Sequence, residues 1–335
     1  VRAAVDSEAA MAGSIRQRAA DAGDGLATAV REGLTGHLPT LPTHCLYDDR
    51  GSALFEAITQ LPEYYQTRTE EALLERRATQ IIELCRPREL VELGSGVGRK
   101  IRLLLDAMRA RDELQQCILF DINPSYLEHS VLRLADEYPE ARITGVHGDF
   151  HHDLDALGDG RGRLMMLLAG TMGNIVPDHL PAFLRQVATC LGTGDSFLVG
   201  VDRVKDAAVL NAAYNDSAGV TADFNRNILN VVNRELGADF DPDAWEHVAF
   251  YDESHEWVEM RLRALCDQVV VIAGSDLEWM VERGLEIRTE ISAKYTRESL
   301  SRRLTGTGLE MSEWFEDDDR LFALALLKRK GEVTC

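Results

Sequence analysis

The run Val91-Glu92-Leu93-Gly94-Ser95-Gly96-Val97-Gly98 sets an acid ahead of alternating glycines. It follows the apolar segment Leu90–Leu93 directly and precedes Ile101, Leu104, Leu105 and Met108 at helical spacing. That strand–turn–helix context gives the glycines their meaning. Gly94 and Gly96 let the backbone turn sharply and approach a nucleotide with no Cβ in the way. The spacing is shorter than the Gly-x-Gly-x-x-Gly of dinucleotide folds, which seat a pyrophosphate at the helix N-terminus. Two further carboxylates close the next strands. Asp121 ends Cys117–Phe120, where an acid can take both ribose hydroxyls. Asp149, in Gly148-Asp149-Phe150, stands where an acid can accept from an adenine amino group with an aromatic ring beside it. Ligands of open α/β sheets sit at the carboxyl ends of the strands, and these signals lie on consecutive strand ends.

Other chemistries find less support. No Ser/His/Asp or Cys/His set is apparent. The six cysteines are scattered without a C-x-x-C pair, and Cys85, Cys117 and Cys190 lie in apolar stretches, as core thiols of a reducing compartment do. His147, Asp149, His151, His152 and Asp153 read as a polar loop with Asp149 turned to adenine, so no metal is expected. A net charge of -20, from 36 basic and 56 acidic residues, argues against nucleic acid as a partner. Apolar runs such as Leu164–Ala169 are far below the roughly 20 residues that span a bilayer. With no basic-then-apolar leader, the expected compartment is the cytoplasm, and a monomer is expected.

The elements that must hold these residues can be read from periodicity. Residues 1–35 are rich in Ala and charge and predict a helix, and Pro39 and Pro42 mark a loop. Thr67 with Glu70 predicts a capping box for a helix carrying Leu74, Ala78, Ile81, Ile82 and Cys85 on one face and ending at Pro87. Strands are predicted at 90–93, 117–120, 143–146, 164–168 and 196–201, with helices between them, including 126–137 and 180–191. Such alternation implies a parallel sheet covered on both faces. After Val201 the rhythm breaks. Phe224, Ile228, Val231, Val232 and Leu236 form a helical stripe, and 257–292 reads as successive strands. One more helix from Arg297 and a strand at 321–327 return to the sheet, so the domain is expected to be split.

The acid and the short glycine spacing resemble the first motif of class I methyltransferases, which implies S-adenosylmethionine (AdoMet) as cofactor, with Glu92, Gly94 and Gly96 facing its methionine part. Four more segments narrow the resemblance: Tyr47-Asp48-Asp49-Arg50-Gly51-Ser52-Ala53-Leu54-Phe55, Leu61–Glu70 with Tyr64-Tyr65, Gly170-Thr171-Met172-Gly173-Asn174, and Ala218–Asn227. Together, from about Leu38 to Leu327, they resemble the histidine Nα-methyltransferases of ergothioneine biosynthesis. That likeness implies trimethylation of free L-histidine to hercynine (histidine betaine). It implies that Asn174 and Tyr214 bind the substrate carboxylate and amine region, with Tyr64 beside them. Glu290 and Ser292 would bond the imidazole, Phe55 and Met260 would be apolar walls, and Tyr47 and Lys100 would stand near the cofactor and the substrate mouth. After Gly96 the chain carries Val97-Gly98-Arg99 where that family has Thr, Ser and an acid.

Taken singly, several of these residues have plainer readings. Tyr64-Tyr65 and Met260 would pack in a core, Glu290 in an alternating strand would face solvent, and Glu316–Asp319 would be a solvated loop. Their agreement reverses this, and an imidazole, with two ring nitrogens, is suited to a carboxylate plus a hydroxyl. The expected protein is a Rossmann-like α/β methyltransferase sheet (68–204 and 294–330) with a second, mixed α+β substrate lobe (1–67 and 205–293). The competing expectations are an enzyme for another aromatic amino acid such as tryptophan, or a non-catalytic module that binds AdoMet or an amino acid.

Overall fold

The computed structural model describes residues 13–17, 22–160 and 162–331. The chain begins with strand β1 (Ser14–Gln17) and helices α1 (Ala22–Leu34), α2 (Asp49–Ile58) and α3 (Tyr65–Cys85). A regular alternation follows through β2 (Glu89–Leu93), α4 (Ile101–Arg109), β3 (Gln116–Asp121), α5 (Pro124–Glu137) and β4 (Arg142–His147). It continues through β5 (Arg163–Leu167), α6 (Leu180–Thr189) and β6 (Ser196–Asp202). Helices α7 (Ala207–Tyr214) and α8 (Val220–Leu236) lead to β7 (Trp245–Asp252), β8 (Trp257–Ala264), β9 (Gln268–Ile272), β10 (Leu277–Val281) and β11 (Glu286–Ala293). The chain ends with α9 (Arg297–Arg303), β12 (Leu309–Glu316) and β13 (Phe322–Arg329).

Eight strands form the main sheet in the order β1-β4-β3-β2-β5-β6-β13-β12. All pair parallel except β13, which runs antiparallel to both β6 and β12. The inner strands are apolar because both faces are covered. Val91, Leu93, Ile118, Phe120, Met165 and Leu167 pack with α6 and α9 residues, while Leu90, Cys117, Leu119, Leu164 and Met166 pack with α3, α4 and α5. The strand order reverses between β2 and β5, and the crevice at their carboxyl ends is where such a sheet receives a ligand.

A second apolar cluster gathers the rest. It joins Val30, Leu34, Leu46 and Tyr64 from the N-terminal part to Phe224, Ile228, Val232, Trp245, Met260, Leu262 and Trp279. Its framework is the antiparallel sheet β11-β8-β7, the hairpin of β9 and β10, and α8, whose predicted stripe is buried. Asp48 ties α2 to α8. Its carboxylate caps α2 at the Gly51 N–H (2.9 Å) and accepts from Asn227 (2.8 Å) and Arg234 (2.8 Å).

Two expectations need correction. The Thr67–Glu70 capping box does not form, because α3 starts at Tyr65 and Glu70 has other partners. Glu70 is fully buried, pairs with Lys100, and accepts the Ala169 N–H on both oxygens (3.0 and 2.8 Å). The helix expected over residues 1–35 is found as α1, whereas Ser14–Gln17 add an edge strand beside β4; residues 1–12 and 18–21 lie outside the described residues.

Candidate active site

One cavity of about 730 Å³ runs from the carboxyl ends of β2, β3 and β4 to the face of β11. At its sheet end lies the loop between β2 and α4. Gly94, Gly96 and Gly98 all have positive φ (68°, 49° and 63°), a conformation that favours glycine, and a Cβ on Gly96 would meet open space. Asp121 shapes this loop from the end of β3. One oxygen accepts the Gly96 N–H (2.7 Å) and the other the Asn123 N–H (2.9 Å). Burial raises its carboxyl, and these backbone donors partly oppose the rise. Asp149 accepts the His151 N–H (2.9 Å), and the Phe150 ring stands 6.0 Å from that of Phe183.

Glu92 and Lys100, also expected at the cofactor, do not line the cavity. Glu92 is buried beneath the loop, its Oε2 has no hydrogen-bond partner, and burial pushes its carboxyl up to about 8. Lys100 turns to Glu70 because a buried ammonium needs a counter-charge. This pair joins the loop after β2 to the loop after β5, where Ala169 is held at φ 62°.

The far end of the cavity carries the expected acceptor residues. Phe55 meets Tyr47 and Tyr64 edge-on, at 5.9 and 6.2 Å between ring centres, and Phe224 closes the same aromatic wall. Glu290, 6% exposed, accepts from the Tyr47 hydroxyl (3.2 Å) and from Asn174 Nδ2 (3.0 Å). Burial raises its carboxyl to about 7, against the opposing pull of Tyr47 and Lys294. Asn174 ends a 3-10 turn (Thr171–Asn174) that reaches β11 because Gly173 permits it; a Cβ there would come within 2.7 Å of the Ala293 carbonyl. Tyr214 and Ser292 share a hydrogen bond of 2.8 Å.

A β-bulge aims Glu290 inward. Arg288 pairs with Arg261 but Glu290 with Met260, leaving Thr289 as the extra residue. Before it Arg288 shares the charged outer face with Arg261; after it Glu290 and Ser292 share the inner face with Met260 and Val258. Thr289 Oγ1 donates to Asn225 on α8 (2.5 Å) or to the Met260 carbonyl (3.0 Å), which pins the bulge.

Sequence reasoning missed the buried group behind this wall. Lys294, 2% exposed, donates to Tyr214 (2.9 Å) and Ser292 (2.8 Å) and pairs with Asp202 (2.9 Å), which also binds Lys205 and Tyr65. Burial alone would raise the Asp202 carboxyl, but the two ammonium groups hold it below the ordinary range. The signal was present: Lys294 follows Ser292 by two places, and Asp202 ends β6 as Asp121 ends β3. Thr43, His44, His152 and His179 also line the cavity and were not singled out for it.

Comparison with known proteins gives a consistent result. The family model described as "Histidine-specific methyltransferase, SAM-dependent" matches residues 26–329. The chain is similar to a Histidine N-alpha-methyltransferase of Mycolicibacterium smegmatis, 45% identical over 308 residues, covering 92% of this chain and 96% of that one. It is similar to another of that name from Mycobacterium tuberculosis, 42% identical over 89% of this chain and 92% of that one. Ergothioneine biosynthesis protein 1 of Schizosaccharomyces pombe is 32% identical over 70% of this chain, which spans 32% of that longer protein.

Proposed function

The chain belongs to the histidine-specific, AdoMet-dependent methyltransferase family, and from that premise we propose that it carries three methyl groups in turn to the α-amine of free L-histidine, giving hercynine at the start of ergothioneine biosynthesis. The observation that carries the reading is Glu290. A buried carboxylate on one inner strand face with a hydroxyl, Ser292, matches the two nitrogens of an imidazole. An indole offers a single N–H and would leave one of the two polar groups unanswered.

When bound, AdoMet supplies a methyl group activated on a positively charged sulfur. The residues of the chain bind and orient. The open backbone of Gly94 and Gly96 and the carboxylates of Asp121 and Asp149 suit the adenosine and methionine parts, with Phe150 beside the ring; Glu92 and Lys100 support that loop from beneath. Phe55 and Met260 wall the acceptor, and Tyr47 holds Glu290. Tyr64, Asn174 and Tyr214 hold the α-amine and carboxylate. Asn174 keeps its amide oxygen and a second N–H for this while one N–H serves Glu290. Tyr64 stays protonated, since burial raises its hydroxyl well above the ordinary value. It would therefore position an amine that arrives uncharged, and such positioning can supply much of the rate.

In this reading residues 68–204 and 294–330 form the AdoMet-binding domain, which lends Asn174 to the acceptor, and 1–67 and 205–293 form the substrate lobe apart from the edge strand β1, in a monomeric cytoplasmic enzyme. Among the described residues no helix is long and apolar enough to cross a membrane. The test is incubation with labelled AdoMet and each free amino acid, followed by mass spectrometry for products heavier by one to three methyl groups. Product from another amino acid and none from histidine would overturn the assignment; light scattering tests the monomer.

A further inference from the structure

Behind the acceptor wall the buried ammonium of Lys294 has three partners: Asp202 Oδ2 at 2.9 Å, the Tyr214 oxygen at 2.9 Å and Ser292 Oγ at 2.8 Å. An ammonium has three hydrogens and no lone pair, so each contact is a donation from Lys294. Both hydroxyl oxygens therefore accept from behind. Tyr214 and Ser292 own one hydroxyl hydrogen each, and the 2.8 Å bond between them uses one. The other cannot return to Lys294. Tyr214 is the donor in that bond, so the hydrogen left over belongs to Ser292, and Ser292 lines the cavity.

We infer that Lys294 is a positioning residue that, with Tyr214, turns the Ser292 hydroxyl into a hydrogen-bond donor toward the cavity, so that the site demands a ring nitrogen with a free lone pair as well as the N–H that Glu290 accepts. The inference rests on the histidine reading above and deepens it: the recognised ring is the neutral imidazole, one donor and one acceptor. Asp202 keeps Lys294 charged, and Lys205 satisfies the other carboxylate oxygen. The remaining titratable groups near the ammonium are Glu290, Tyr251 and Tyr295. None takes up the Ser292 hydrogen in the structure.

The test compares histidine with β-(pyrrol-2-yl)alanine and β-(pyrrol-3-yl)alanine, which keep one ring N–H and replace the acceptor nitrogen by C–H. Binding is measured calorimetrically with S-adenosylhomocysteine saturating. The wild type should bind histidine at least about tenfold more tightly than the better pyrrole, the usual scale for a buried donor left unpaired. In Lys294→Met the hydroxyls can rotate, and the ratio should shrink to about twofold while S-adenosylhomocysteine affinity is kept. Asp202→Asn/Lys294→Met, which removes the pair together, serves if the single variant does not fold. A ratio unchanged in the variants, a parallel loss for all three ligands, or a wild-type ratio near one would each overturn the inference. A wild type that binds no histidine would instead defeat the functional reading, and this inference with it.

Discussion

Asn174 Nδ2 donates to Glu290 Oε1 at 3.0 Å, joining the turn after β5 to strand β11 across the cavity. One side of that bond belongs to the sheet with the glycine loop, the other to the antiparallel sheet of the second cluster. Glu290→Ala should weaken histidine binding by about 1.5–3 kcal/mol, the range for a hydrogen bond to a charged group. Affinity for S-adenosylhomocysteine should hold. Calorimetry with each ligand checks both, and unchanged histidine affinity would remove Glu290 from the recognition of the ring.

At the cofactor end the corresponding residue is Asp121. Removing its carboxylate frees the Gly96 and Asn123 N–H groups that now bond it and takes away the proposed ribose contact. Asp121→Ala is expected to lower S-adenosylhomocysteine affinity about ten- to hundredfold, from roughly 1.5–3 kcal/mol for a charged hydrogen bond. Fluorescence or calorimetric titration measures it; a loss below about threefold would contradict the placement.

Glu92 makes a prediction about pH. Its carboxyl ionises near 8 in the folded chain against an ordinary 4.5. The folded state thus keeps a proton that the unfolded state releases between those values. Its contribution is fully present below about pH 4.5 and is lost as pH rises toward 8. Glu92→Gln should therefore gain stability over the wild type between pH 6 and pH 8.5, by about 2.5 kcal/mol at about 1.36 kcal/mol per unit. Denaturant melts at both pH values check the sign, and an advantage that shrank with rising pH would refute it.

Glu70 holds two loops at once, through Lys100 and through the Ala169 N–H. Glu70→Ala strands a buried ammonium, and about 3–5 kcal/mol of stability should go with it. Replacing both partners by methionine should recover only part of this, since the Ala169 N–H still lacks an acceptor. Urea denaturation of the two variants separates these outcomes.

Much of the main sheet was legible because strands buried on both faces must be near-continuous apolar runs, as at Leu164–Leu168. The elements that escaped have mixed composition. Strand β7, with Trp245, Glu246 and His247, has one face on the second cluster and another half in solvent, so its periodicity is weak. In the site, glycines and strand-end acids could be located because topology dictates where they fall. The roles of Tyr64, Asn174, Tyr214 and Glu290 came from resemblance, because no local rule singles out a loop tyrosine or a strand glutamate. Glu70 was misread for a physical reason: Thr-x-x-Glu is only a cap if nothing buried competes for the acid. Lys294 was passed over because a lysine is ordinarily a surface residue, and here a carboxylate on another strand keeps it inside.

The bulge at Thr289 means that what the pocket recognises is encoded in register as well as in residue type. If β11 paired without it, Thr289 and Ile291 would stand where Glu290 and Ser292 now do, and the same letters would spell an almost apolar wall. The lock on that choice is Asn225, a helix residue on α8 bonded to Thr289. Heritable change in acceptor preference could therefore begin at a position that never touches the acceptor, which makes Asn225 as much a part of the inherited specificity as the acid it keeps in phase.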